Sequence, residues 1–419
     1  MKRIVILGAG FGGLRAALLL SKKLKPGEAE VVLVDRNSYQ TYTPALYEVA
    51  SASRGNALIP ARVDEREFYA QLGGSVAFDV RTILEGAPVT FVRDEVIHMN
   101  ARSSRVTLRE GGEMSFDYAL VALGSRTAFF GTTGAAEYCA TVKSIHDALG
   151  LRQQITEAFE ATPSGKEMTI AVVGGGLTGF EVITEVALFL SHLKRQVKKE
   201  GVRTRLILIE AAPTILSAAP SPMRERGSER LAALGITVMT NAPVSAVGKG
   251  IIYFTSGGSL KTDVQMWSGG VEGHEVIRTS EGLLLNEAGQ IVVNEFLTSK
   301  TRHTVLAIGD AAEYLDVAAR QKAPATAWAA EQQADVAANN ILALLRGEDL
   351  AVCALKFPGF VAAAGGRYAI AHLFGVTVCG FPAWLLKRAI DLKYLNSLYS
   401  PVHALRLWVK NVLLFARND

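Results

Sequence analysis

The stretch GAGFGG at residues 8–13 returns in altered form as GGGLTG at residues 174–179, and each copy stands at the turn of a strand–loop–helix–strand unit. In the first unit RIVIL (3–7) is a short β-branched run of the kind buried in a parallel sheet. LRAALLLSKKL (14–24) predicts a helix, and EVVLVD (30–35) a second strand ending in Asp35. In the second unit MTIAVV precedes the loop, EVITEVALFLSHLKRQVKKE (181–200) predicts a longer helix, and TRLILIE (204–210) a strand ending in Glu210.

The first glycine of such a motif (Gly8, Gly174) permits a tight turn. The second (Gly10, Gly176) lets backbone approach a pyrophosphate, and the third (Gly13, Gly179) lets helix and strand pack closely. The helix N-terminus then offers free N–H groups to the phosphates. The acids Asp35 and Glu210 are placed to accept ribose hydroxyls. Glu210 comes later than usual because the basic stretch HLKRQVKKEG lengthens the helix. A carboxylate there accepts from a 2′-hydroxyl and repels a 2′-phosphate, so NADH is expected over NADPH. Arg203 and Arg205 are the neighbours that could rescue a phosphate. Two dinucleotides in one chain fit a flavin held permanently and a nicotinamide that visits, with a hydride passing from one ring to the other.

Three further stretches extend this α/β reading. HTVLAIGDAAEY (303–314) is a strand running into Gly309 and Asp310 at a predicted helix start. There Asp310 either accepts from the ribityl hydroxyls of FAD or serves as an ordinary N-cap. FDYALVALGS (116–125), with Gly124 at its end, reads as the crossover into a nicotinamide domain, and MWSGGV (266–271) as its return. The expected division is an FAD-binding domain over 1–115 and 286–380, an NADH-binding domain over 116–285, and a C-terminal helical segment over 381–419.

Composition removes other classes. A net charge of +4 is too small to argue for nucleic acid. The three cysteines form no CxxC pair, so neither a metal site nor a disulfide framework is expected; Cys139 with Cys353 as a redox couple is the minor alternative. The N-terminus lacks the apolar core of a signal peptide. No apolar run reaches the roughly 18–20 residues of a spanning helix, which leaves no means of pumping protons.

The C-terminal segment differs from the rest. His403, Arg406, Lys410 and Arg417 form one basic stripe at helical spacing, with Leu405, Trp408, Val409, Val412 and Phe415 gathered opposite. Residues 383–395 are less regular, because Lys393 falls inside the apolar arc. A basic amphipathic helix of this kind suits an anionic membrane surface, a dimer interface or packing on the protein's own core.

The order GAGFGGL, TPALYEVAS, VALGSRTAFFGTTGAAEY, GGGLTGFE, WSGGV, AIGDAA and ATAWAAEQQA resembles the type II NADH dehydrogenases, or NADH:quinone oxidoreductases, over nearly the whole chain. The resemblance implies FAD bound without a covalent link through Gly8, Gly10, Gly13, Asp35 and Asp310, with Thr43 and Pro44 approaching the flavin. It implies NADH on Gly174, Gly176, Gly179 and Glu210, with Glu181 near the contact of the two rings. It implies electron transfer to a membrane quinone and docking of the C-terminal helices on the cytoplasmic face of the membrane. On that reading, deleting 381–419 releases the protein and leaves NADH reduction of the flavin intact. The family's helix after P-x-x-A carries two glutamines near the quinone; here Gln332 matches the second, and Trp328 stands at the first. Indole donates only, so Trp328 either stacks on the acceptor or fills its pocket. A homodimer stays open. The rivals are a sulfide:quinone oxidoreductase, a soluble reductase with another acceptor, and a non-catalytic NADH sensor.

Overall fold

The computed structural model describes residues 1–53, 65–199, 201–316 and 320–415. The helices that place the candidate site are α1 (Phe11–Lys23), α2 (Leu46–Ser51), α3 (Glu65–Val76), α4 (Ile145–Ala161), α5 (Leu177–Gln196), α6 (Ala327–Arg346), α7 (Phe381–Leu398) and α8 (Pro401–Phe415). Two compact units emerge: 1–41, 78–126 and 271–357 in one, 42–77, 127–270 and 358–419 in the other. The crossovers thus fall after Arg126 and Gly270 rather than at 115 and 285. Residues 42–77 join the second unit because α2 packs on α4 and α5.

The first unit is built on a parallel sheet in the order Val305–Ala307, Tyr118–Val121, Lys2–Leu7, Ala29–Asp35, Val89–Arg93. The central residues Ile4 to Leu7 are fully buried, as their β-branched run requires. α6 packs along α1. The Arg15 guanidinium grips the Asp335 carboxylate with two bonds of 2.6 and 2.7 Å.

The second unit repeats the plan. Its parallel sheet runs Thr237–Met239, Arg203–Ile209, Glu167–Val173, Val264–Trp267. In both sheets the strand before the glycine loop has its two parallel neighbours on opposite sides. The order therefore reverses at that strand, and the crevice for a ligand opens at its C-terminal end. The second unit also carries an antiparallel sheet of Gly359–Ala363, Ala369–Leu373 and Val376–Gly380, on which α7 lies through Ala383 and Trp384.

Three local expectations change. α1 and α5 begin inside their glycine motifs, at Phe11 and Leu177, so Gly13 and Gly179 are helical residues. Gly309–Ala311 is a single 3-10 turn that leads into the short strand Ala312–Glu313, not an α-helix. The apolar face assigned to α8 splits. Leu405 and Val409 are exposed beside Val402 and Leu413, whereas Phe415 is buried and Val412 packs on the α7 side. Trp408 turns inward too, its Nε1 donating to the Arg388 carbonyl at 2.7 Å. Arg417 lies outside the described residues. Among the described residues no helix is long and apolar enough to cross a membrane.

Candidate functional site

Each glycine loop shows the division of labour its sequence implies, and the two are nearly superimposable in their chemistry. Gly8 and Gly174 adopt φ of +100° and +106°. A Cβ at Gly8 would lie 2.5 Å from the Ala122 carbonyl oxygen, and one at Gly174 would lie 2.5 Å from that of Ser268. A Cβ at Gly13 would lie 1.8 Å from the Gly8 oxygen, and one at Gly179 would lie 1.9 Å from that of Gly174. Only glycine fits these four places. Gly10 and Gly176 are different: a Cβ there would meet no protein atom within 4 Å. Both are N-caps without a capping side chain. The helix end is thus held tightly from behind and left open in front, which is what a pyrophosphate needs.

The acids clasp the loops. Asp35 accepts from the N–H groups of Ala9 (2.7 Å) and Asn37 (2.8 Å). Glu210 accepts from those of Gly175 (2.6 Å) and Ala212 (2.7 Å). Burial pushes the Asp35 carboxyl above its ordinary value, against the pull of the two N–H groups. Each carboxylate oxygen keeps a lone pair for a ribose hydroxyl. Arg203 and Arg205 begin the strand that Glu210 follows. At roughly 3.3 Å per residue they stand about 23 and 16 Å from Glu210, at the wrong end of the strand to read a 2′-phosphate.

In the first unit the Asp310 carboxylate accepts from the Ser125 hydroxyl at 2.5 Å, directly after Gly124. Gly309, at φ +62°, donates its N–H to Gln333 Oε1 at 2.6 Å. Sequence reasoning missed Gln333. Its signal was present in the stripe Ala329, Gln333, Ala337, Asn340, which is buried along α6. Gln332, one residue earlier, accepts instead from the Lys356 N–H at 3.1 Å. Trp328 meets the Phe357 ring edge-on, with centroids 5.5 Å apart. Trp328 and Gln332 therefore share a helix face, and both hold the Lys356–Phe357 segment.

The second unit contains a buried charged cluster that periodicity gave no hint of. Thr43 and Pro44 form a 3-10 turn leading into α2. Behind it the Arg388 guanidinium of α7 pairs with Glu48 of α2 and, at 3.1 Å, with Asp391. The Tyr42 hydroxyl donates to Asp391 at 2.6 Å, and that of Tyr47 to Glu48 at 3.1 Å. Burial disfavours the Arg388 charge, but Glu48 and Asp391 outweigh it and hold its pKa above the usual guanidinium value. Lys387 is buried with its ammonium 5.1 Å from the centre of the Tyr47 ring. Glu181, in the first turns of α5, accepts from the Ala363 N–H at 3.0 Å. Burial pushes its carboxyl up to about 7, against the opposing pull of Lys387. A group poised there can hold or release a proton at neutral pH.

The three cysteines are free thiols, and burial pushes both Cys139 and Cys353 up to about 12. They are held protonated and make poor nucleophiles.

The sequence profile of the pyridine nucleotide-disulphide oxidoreductases matches residues 2–334. The chain is 29% identical to the type II NADH:quinone oxidoreductase of Mycobacterium tuberculosis, over 100% of this chain and 89% of that protein. Its fold is similar to that of NDH2 from Plasmodium falciparum in complex with NADH: TM-score 0.80, 20% identity, 98% of each chain. It is also similar to the sulfide:quinone oxidoreductase of Aquifex aeolicus, with TM-score 0.74 and 19% identity over 98% of this chain and 92% of that one.

Proposed function

From the premise that the chain belongs to the pyridine nucleotide-disulphide oxidoreductase family, we propose that it is an NADH:quinone oxidoreductase that does not pump protons. The observation that carries this reading is the duplicated cradle, closed behind Gly13 and Gly179 and open at Gly10 and Gly176. It is joined to full-length similarity with a type II NADH:quinone oxidoreductase. FAD fits the first unit. There the α1 N-terminus would meet the pyrophosphate, Asp35 the adenosine ribose, and Asp310, oriented by Ser125, the ribityl chain. NADH fits the second through the α5 N-terminus and Glu210. When bound, the flavin supplies the chemistry of accepting a hydride from NADH and passing two electrons to a quinone.

The chain's own residues orient and protonate. Gln333 fixes the Gly309 turn that presents Asp310. Glu181 holds a proton near neutral pH, and reducing a quinone to a quinol requires proton uptake. The exposed apolar residues of α7 and α8, flanked by the exposed cations Lys393, Arg406 and Lys410, suit the cytoplasmic leaflet, where a quinone is met.

The purified protein is expected to be yellow, to bleach on addition of NADH under nitrogen, and to regain its colour with a short-chain quinone. A colourless protein that ignores added FAD would overturn the reading. So would a bleached protein reoxidised only by an iron–sulfur acceptor. The sulfide:quinone alternative needs reactive cysteines, whereas burial raises the pKa of all three thiols, Cys139, Cys353 and Cys379, and so disfavours the reactive thiolate.

Trp328→Ala separates two roles for the indole. The edge-on contact with Phe357 favours a role in holding the Lys356–Phe357 segment over stacking on the acceptor. The substitution is expected to cost about 1 kcal/mol of stability, as for one edge-on aromatic contact between partly exposed rings, and to weaken quinone binding only indirectly. Stopped-flow reoxidation by quinone, measured beside a urea melt, checks this. Unchanged stability with a tenfold rise in quinone KM would assign Trp328 to the acceptor directly.

A further inference from the structure

The hairpin joining Ala369–Leu373 to Val376–Gly380 turns through two residues, Phe374 and Gly375, at φ of +51° and +81°. Positive φ at both positions is what a two-residue type I′ turn requires, and asparagine, aspartate or glycine ordinarily fills the first. Phenylalanine there is doubly unfavourable. Its Cβ is strained in the left-handed region, and its ring is 85% exposed. The tip is not loose, since the Phe374 N–H donates to the Pro358 carbonyl at 2.9 Å. Nothing in the turn itself asks for an aromatic residue.

The surroundings say what does. Leu373 pairs with Val376 and Ala371 with Val378, and paired residues share a face of the sheet. α7 packs on that same face through Ala369 and Ala371. Val376 and Val378 therefore flank α7 on the edge strand, and both are exposed. The chain then runs without a break into α7, which is inside out. Lys387, Arg388 and Asp391 are buried, whereas Phe381, Leu385, Leu386 and Ile390 face outward. Apolar surface thus continues from the hairpin tip onto the outer face of the helix, next to the exposed cations noted above.

We propose that the Phe374 hairpin is a lipid-inserting wedge, a third contact with an anionic bilayer beside α7 and α8. The inference rests on the reading that the outer face of those helices meets lipid. Phe374 enters the boundary between headgroups and acyl chains, while the edge-strand backbone stays at hydrated depth. A second copy of the chain is the competing occupant. The bilayer is favoured because the exposed cations match anionic headgroups.

Phe374→Asn tests this with little risk to folding, because asparagine accepts the left-handed turn. The melting temperature is expected to hold or rise. Partition of the full-length flavoprotein onto vesicles of phosphatidylcholine with phosphatidylglycerol is expected to fall about tenfold, the loss expected for one aromatic side chain leaving the interface. Phe374→Trp should retain binding. Wild-type partition by Phe374→Asn, with release by the double variant Leu405→Ser/Val409→Ser, would overturn the wedge and leave the tail reading standing. Failure of the wild-type protein to bind vesicles would overturn both. Conversion of a dimer to a monomer by Phe374→Asn, without change in partition, would assign the tip to a second copy and overturn the wedge.

Discussion

Replacing Arg388 by alanine is expected to destabilise the second unit by about 3–5 kcal/mol, the usual cost of leaving a buried carboxylate without its partner. Two carboxylates lose that partner here, since Glu48 comes from α2 and Asp391 from α7 itself. Deleting residues 381–419 goes further. It removes Arg388 and Lys387 together and uncovers Ala369 and Ala371, on which α7 lies. The truncated protein is therefore expected to aggregate or to unfold at lower urea concentration, not to persist as a soluble enzyme with an intact flavin half-reaction. A urea melt followed by flavin fluorescence and by circular dichroism checks both. Adding Glu48→Gln to Arg388→Ala should recover part of the loss, because the uncompensated charge goes with it. A cost under about 1 kcal/mol for Arg388→Ala would mean that water reaches the pair and that it resembles a surface salt bridge. The double variant Leu405→Ser/Val409→Ser is the better test of membrane attachment, since both residues are exposed, unlike the buried Arg388 and Lys387.

On the proposed role of Glu181 as the source of the quinol proton, Glu181→Gln is expected to remove a titration near pH 7 from the reoxidation of the flavin by quinone and to slow that step by about a hundredfold, the lower end of what a general acid supplies. The sign follows from the direction of the shift. Burial raises the carboxyl from 4.5 to about 7, so in the wild-type protein it is protonated below that pH and can give up a proton. Reoxidation should be faster on the acid side and fall as pH rises through 7. Linkage makes a second, independent demand. A carboxyl whose folded value lies above its unfolded one costs the fold stability as pH rises from 4.5 through 7. Glu181→Gln should therefore gain on the wild-type protein over that window and match it below. Stopped-flow reoxidation and urea melts across pH 4–9 measure the two. An inflection near pH 7 that survives in Glu181→Gln would assign the proton to another group.

The glycine loops were legible because their requirements are local. Gly8, Gly13, Gly174 and Gly179 answer to backbone clashes within a single strand–turn–helix unit, and Asp35 and Glu210 sit at the ends of strands that periodicity reveals. The same holds for the two parallel sheets, whose short β-branched runs are the sequence mark of buried strands. Gly309 and Asp310 were legible as a pair but not in form. The sequence predicts a helix start there, which the 3-10 turn and the short strand Ala312–Glu313 replace.

What lay beyond the sequence is everything decided by pairing across distance. A charged residue on a helix is read as a solvated face, and by that rule α7 has no clean pattern. The rule fails because Glu48 and Asp391 neutralise Arg388 in the interior, which lets the apolar side chains Leu385, Leu386 and Ile390 turn outward. Likewise the spacing of Trp328 and Gln332 correctly puts them on one face of α6, but only the packed segment 356–357 shows what that face holds, and only the buried stripe of small residues shows that Gln333 serves the Gly309 turn. Sequence by itself therefore determined the two cradles, because a helix N-terminus and a glycine turn are made by neighbours in the chain. Tertiary structure alone decided which way the C-terminal helices face, because the energy of a buried charge depends on a partner hundreds of residues away along the chain (Glu48 for Arg388, |i−j| = 340).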